Sequence, residues 1–137
     1  MVDVFSKEKR SWLMGQVKSV DTAPELVVRS IAHRLGFRFC LHRQDLPGRP
    51  DLVFPRLRKV VFVHGCFWHG HNCRRGKRTP STNKGYWVKK IRSNVRRNRQ
   101  QRAELRRAGW DSLVIWECQI KKPDELIARL FVFLAGE

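Results

Sequence analysis

The order of local signals, α-β-β-β-α-β-α, predicts an α/β chain with a mixed central sheet flanked by helices. Three observations carry that prediction. A helix-start pattern stands at Thr22-Ala23-Pro24-Glu25, and short β-rich runs broken by prolines follow between residues 37 and 64. A long basic amphipathic stretch from Trp87 to Ala108 then leads into one more apolar run and a second amphipathic stretch. The 137 residues make one domain with a real core, expected over 21–137, and carry no internal repeat or low-complexity segment.

Residues 1–20 are polar and basic apart from Trp12-Leu13-Met14-Gly15, and read as an N-terminal arm. Thr22 to Glu25 is a capping box, and Val27, Val28, Ile31 and Leu35 follow at helical spacing until Gly36 stops the helix. Phe37–Leu41, Asp51–Phe54 and Lys59–His64 read as strands, the last two close enough for a hairpin. Pro47-Gly48-Arg49-Pro50 breaks the chain before Asp51, and Pro55 breaks it after Phe54. Cys40, inside an apolar run, is expected to be a core thiol. Residues 65–86 form a long connection with little periodicity, and a loop of that length in a small domain is usually functional. In the helix from Trp87 to Ala108, Val88, Ile91, Val95, Asn98, Arg102 and Leu105 make one stripe while Lys and Arg crowd the rest. Gly109 ends it, Asp111–Trp116 is a strand, and Pro123–Leu134 a last helix.

Charge narrows the function. Lys and Arg total 29 against 12 Asp and Glu, a formal charge of +17, which points to a polyanionic partner. About ten Lys and Arg with one carboxylate fall between Lys84 and Arg107, which argues for phosphate contact and nucleic acid. An anionic membrane surface competes as partner, but no segment joins that charge to an apolar anchoring face. No apolar run reaches spanning length and MVDVFSKEKR lacks a secretory core, so the expected location is cytoplasmic, at the nucleoid when on DNA. There, cysteines bind metal more readily than they form disulfides.

The stretch Cys66-Phe67-Trp68-His69-Gly70-His71-Asn72-Cys73 interleaves thiols and imidazoles with glycine and asparagine, as no core strand does. Such donors at this spacing suit tetrahedral zinc. Cys66, His71 and Cys73 supply three, and Cys118, just past the apolar strand Leu113-Val114-Ile115-Trp116, is positioned to be the fourth. His64 and His69 are then surplus imidazoles beside the metal. Asp51 opens a strand among basic residues; it serves either as a turn cap or as a carboxylate for Mg²⁺ in a phosphodiester nuclease. Glu25 has a structural role as the capping-box glutamate and could still face a metal. Asn98 interrupts an apolar stripe, where an inward amide needs partners; a half-exposed stripe edge explains it equally well.

At Val63-His64-Gly65-Cys66-Phe67-Trp68-His69 the chain resembles the Vsr-type very-short-patch-repair endonucleases, which nick DNA at T:G mismatches. Asp21-Thr22-Ala23-Pro24-Glu25, Leu46-Pro47-Gly48-Arg49-Pro50-Asp51, the Trp87 to Asn98 helix, and Gly109-Trp110 with Trp116-Glu117-Cys118 extend the likeness from about residue 5 to 120. The resemblance implies a restriction-endonuclease-like fold of the PD-(D/E)XK type with a structural zinc on Cys66, His71, Cys73 and Cys118. It further implies Mg²⁺ on Asp51 and on the backbone carbonyl of Val63, with His69 as general base. His64 would support the site, and Glu25 would reach a water on the metal. Phe67, Trp68 and Trp87 resemble an aromatic wedge inserted into DNA, with Met14 entering from the opposite groove. Val63 stands where the family often has threonine, which leaves a carbonyl ligand intact. Asn98 stands where an aspartate can sit beside the histidine, which weakens the electrostatic orientation of His69. The (D/E)XK lysine has no counterpart, as is normal for this family.

The expected activity is Mg²⁺-dependent nicking 5′ to the thymine of a T:G mismatch by a monomer acting on double-stranded DNA alongside other mismatch-repair proteins. The competing readings are a non-catalytic zinc module that binds distorted DNA and an RNA-binding zinc protein of ribosomal type. Neither has a use for Asp51, Glu25 and His69 in a basic cleft.

Overall fold

The computed structural model describes residues 22–66, 71 and 84–136. Helix α1 (Ala23–Arg34) starts where the cap pattern predicts: Thr22 has extended φ/ψ and its Oγ1 accepts the Glu25 amide at 3.3 Å. It ends before Gly36, whose φ of +87° is a left-handed conformation that glycine adopts without strain. Strands β1 (Cys40–Leu41), β2 (Leu52–Phe54) and β3 (Lys59–His64) form an antiparallel meander, with Val53 opposite Val60. Helix α2 (Lys84–Arg107) lies in the crossover to β4 (Asp111–Trp116), which pairs with β3 in parallel, Lys59 opposite Asp111 and His64 opposite Trp116. A 3₁₀ turn (Glu117–Lys121), which the sequence did not signal, leads to α3 (Pro123–Ala135). Strand order is β1-β2-β3-β4, so the sheet is mixed.

Both faces of the sheet are covered, and the period-two alternation of its strands divides the core. Leu52, Phe54, Val61 and Ile115 pack with Val28 and Ala32 of α1 and Leu126, Leu130 and Leu134 of α3. Val53, Val60, Phe62 and Val114 meet Leu105 of α2 on the other side. The buried Lys59 at the start of β3 donates from Nζ to the carbonyls of Phe133 (2.6 Å) and Gly136, capping the end of α3 with a cation.

Three local expectations are corrected. Cys40 is exposed, because Phe37 and Phe39 take the inward positions and the period of two turns Cys40 outward. The first predicted strand shrinks to Cys40–Leu41. Val27 is 36 % exposed, since Glu25 and Val28 take the buried line of α1. The arm with Met14 lies outside the described residues, as do Phe67, Trp68, His69 and Cys73. Among the described residues, no helix is long and apolar enough to cross a membrane.

Candidate active site and metal-binding clusters

The first cluster is built from α1, the end of β1 and the start of β2. The turn Leu46-Pro47-Gly48-Arg49-Pro50 delivers Asp51 to it through two successive left-handed residues, Gly48 (φ +79°) and Arg49 (φ +48°). The Arg49 amide closes the turn on the carbonyl of Leu46 at 3.2 Å. Gly48 is packed so tightly that an added Cβ would lie 3.0 Å from Gln101 of α2 and 3.0 Å from the Phe62 ring. Asp51 is buried, and its Oδ2 accepts the backbone N–H of Val63 at 2.7 Å. That bond fastens the carboxylate to the neighbouring strand β3.

Glu25, only 1 % exposed, faces Asp51 from α1, with carboxylate oxygens of the two within 4.8 Å of each other. Although it occupies the capping-box position, its carboxylate turns into the core, where Oε2 takes Arg29, one helical turn on, and His42 Nε2 at 2.9 Å. Arg29 also lies 3.5 Å from His42 Nε2. Ligand atoms of Glu25, His42 and Asp51 lie within 4.8 Å of one another.

Two buried carboxylates in contact compete for charge. Burial, and then the hydrogen bond and charge of Glu25, push Asp51 up to about 8 against the lowering effect of the Val63 amide. Glu25 goes the other way. Burial is the largest single influence on it and would raise its pKa, but the hydrogen bonds from Asp51 and His42 and the charges of His42 and Arg29 outweigh it and lower the value. One carboxylate is thus charged and the other holds a proton, unless a cation replaces that proton. This oxygen-rich pair fits a hard divalent cation such as Mg²⁺. Arg29 and His42 were missed by sequence reasoning. A histidine directly after an apolar run and nine positions before the key aspartate was the available signal.

The second cluster gathers Cys66, His71 and Cys118, again within 4.8 Å of one another. Cys66 follows β3 and is fully buried; the His71 amide donates to its carbonyl at 3.0 Å. Cys118 comes from the 3₁₀ turn after β4, with Sγ 3.6 Å from His71 Nδ1. Parallel pairing of β3 and β4 sets this meeting, since both thiols lie two residues past paired positions, His64 and Trp116. The His71 ring stacks on Trp116 at 4.1 Å and 11°, which fixes its orientation. Burial lowers the His71 pKa, favouring the neutral imidazole that binds metals. Thiol and imidazole donors in this arrangement fit a zinc ion.

His64 and Asn98 line a cleft of about 1220 Å³ between α2 and β4, together with His71, Arg99, Arg102 and Trp116. The His64 ring is buried, 5.3 Å from Trp116 edge-on and 5.7 Å from Phe62. Arg102 donates from Nε to Ser112 Oγ at 3.1 Å, so one basic residue of the cleft ties α2 to β4. Trp87, near the start of α2, is half-buried with its ring edge-on to Tyr86 at 5.2 Å.

Comparison with known proteins sets this geometry in a lineage. A family profile described as DNA mismatch endonuclease Vsr matches residues 2–75. The chain is 50 % identical over 130 residues to the type II nicking enzyme V.XorIIP of Xanthomonas oryzae pv. oryzae, covering 95 % of each chain. It is 39 % identical over 121 residues to the type II nicking enzyme V.NmeAIP of Neisseria meningitidis serogroup A, covering 88 % of this chain and 86 % of that one. To the DNA mismatch endonuclease Vsr of Escherichia coli (strain K12) it is 40 % identical over 142 residues, covering all of this chain and 90 % of that one. Relatives this similar over nearly their whole length, joined to buried paired carboxylates in a strongly basic α/β chain, lead to one conclusion: the chain belongs to the Vsr family of DNA mismatch endonucleases.

Proposed function

We propose that this protein nicks double-stranded DNA 5′ to the thymine of a T:G mismatch, by hydrolysis of the phosphodiester bond. The observation that carries the reading is the contact between Asp51 and Glu25, two buried carboxylates in a chain of charge +17. A protein that only binds DNA gains nothing from burying negative charge next to a phosphate backbone. A nuclease does, because such carboxylates hold a divalent cation. Asp51 and the carbonyl of Val63 would hold Mg²⁺, with Glu25 at its edge. Bound there, the cation supplies Lewis-acid stabilisation of charge developing on the phosphate and the leaving oxygen.

The remaining steps belong to the chain's own groups. His69 takes a proton from the attacking water, whose oxygen bonds to phosphorus as the P–O3′ bond breaks. The departing O3′ takes up a proton from solvent, so the products are a 3′-hydroxyl and a 5′-phosphate. His64 supports His69, and Asn98 assists with its amide. Phe67, Trp68 and Trp87 wedge into the stack, with Met14 from the other groove, and unstacking costs less where a mismatch already weakens the duplex. The lysines and arginines of α2 contact phosphates. Cys66, His71, Cys73 and Cys118 would hold a structural zinc with no open position, so the zinc takes no part in the chemistry.

The test is to incubate end-labelled matched and T:G duplexes with Mg²⁺ and the wild type, Asp51→Ala and Trp68→Ala. The wild type is expected to nick the T:G duplex alone. Asp51→Ala is expected to lose nicking but keep mismatch binding, and Trp68→Ala to keep its melting temperature and salt-dependent DNA binding while losing the T:G preference. Near-wild-type turnover by Asp51→Ala overturns the metal assignment. Mismatch binding by the wild type without any cleavage makes the protein a binding module.

A further inference from the structure

Immediately after β1 the chain turns through His42 at φ +49°, a conformation that residues with side chains seldom adopt. Glycine or asparagine fills such a position at least cost. Histidine is also among the residues enriched there, so the turn tolerates an imidazole, and the contacts of His42 give it a role. The backbone N–H of His42 donates to the carbonyl of Asp51 at 3.3 Å, while ring Nε2 lies 2.9 Å from Glu25 Oε2. One residue thus touches both carboxylate-bearing residues, the first through its main chain and the second through its ring. Arg29 binds the same Oε2 from one turn further along α1.

Two N–H donors converging on one oxygen fix the plane of a carboxylate, and His42 is three-quarters buried in doing so. An ionised carboxylate only accepts, so Nε2, 2.9 Å from Oε2, is assigned as the protonated nitrogen and offers that contact a donor. We propose that His42, with Arg29, is a positioning clamp that holds Glu25 in the orientation needed to share a divalent cation with Asp51. The clamp rests on the reading above, in which that pair binds the catalytic metal. His42 acts through Glu25 and is not itself a ligand.

Residues that orient metal ligands are commonly worth about 10–100-fold in metal affinity. The experiment measures Mn²⁺ binding by electron paramagnetic resonance of the free ion, for the wild type, His42→Ala, His42→Gln and Asp51→Ala, with thermal melts of each. Asp51→Ala identifies the signal that belongs to this cluster. His42→Ala is expected to weaken that binding at least tenfold and to raise the Mg²⁺ concentration for half-maximal nicking by a similar factor. Its rate at saturating Mg²⁺ should stay within a few-fold of wild type. His42→Gln, whose amide N–H can still reach Glu25, is expected to recover most of the affinity, and it decides the matter if His42→Ala does not fold.

Unchanged Mn²⁺ affinity in His42→Ala overturns the clamp while leaving the metal site standing. So does an equal loss in a well-folded His42→Gln. Directly coordinated imidazole nitrogen in the Mn²⁺ spectrum, absent in His42→Gln, overturns it too by making His42 a ligand. A wild type with no Asp51-dependent Mn²⁺ signal removes the metal reading and the clamp together.

Discussion

Asp51 carries a proton at neutral pH when no cation is present, and that single proton has consequences for the stability of the whole chain. Its pKa in the fold, about 8, stands above the ordinary value of 3.8, so between those limits the folded state binds more protons than the unfolded state. The contribution is favourable below about pH 4 and is lost as pH climbs towards 8, with a slope of at most about 1.4 kcal/mol per pH unit. Glu25, with its pKa lowered, contributes in the opposite sense: its share is present above 4.5 and lost as acid protonates it. His71, also lowered, gains charge more readily when unfolded, so its share grows as pH rises towards 6.5 and is complete above it. The Asp51 effect is isolated by substitution. In metal-free protein, Asp51→Asn is expected to flatten the fall in urea midpoint between pH 5 and 8 relative to wild type. Calorimetry in buffers of different ionisation enthalpy should show Mg²⁺ binding to the wild type releasing close to one proton at pH 7. A slope equal in the two proteins, with no proton release, would falsify the assignment of the proton to Asp51.

The element that aims Asp51 is the turn before β2, and glycine is required in it for two separate reasons. At φ +79° a side chain is strained, and an added Cβ meets Gln101 and the Phe62 ring at 3.0 Å. Gly48→Ala is therefore expected to cost about 1–3 kcal/mol in chemical denaturation. It should also reduce nicking beyond the loss of folded protein, because Asp51 lies three residues on. Equal activity per folded molecule would separate the turn from the site. This turn also marks how far the sequence could be read. Its prolines and glycine announced a break before a strand, and the cap at Thr22, the span of β3 and the basic face of α2 were legible for the same reason: each is set by neighbours in sequence. Cys118 was legible because a thiol just past an apolar strand is both a chemical and a positional signal. Other features depended on partners far along the chain. His42 meets Glu25 across 17 positions, and its left-handed backbone leaves no mark in composition. Glu25 satisfied the capping-box pattern so well that its inward contacts with Arg29, His42 and Asp51 were masked by a local explanation. The short 3₁₀ turn carrying Cys118 has no periodicity to detect.

Across the whole molecule, the two proposed metal sites differ in how much of the chain must come together to build them. The carboxylate cluster uses residues 25 to 63, drawn from α1 and a meander whose strands pair with their immediate neighbours. The thiol–imidazole cluster needs Cys118 beside Cys66, and so depends on β3 and β4, which pair positions 59 and 111 across the crossover. Contacts of such separation are slow to form, because closing a long loop costs entropy before any pairing repays it. The parallel pairing therefore gives the chain a temporal order. The local meander with its carboxylates is expected to assemble early and β4 to dock late, bringing the last cysteine to its partners. Zinc that joins them after the rate-limiting step acts as a latch on a finished structure, slowing escape from the native state without hastening arrival there. Stopped-flow measurements on zinc-loaded and chelator-treated protein are expected to show unfolding accelerated at least tenfold by zinc removal, with the refolding rate nearly unchanged. A chelator that slowed refolding instead would place the metal in the folding nucleus. If the latch holds, zinc supply sets how long each copy of this endonuclease survives in its working form.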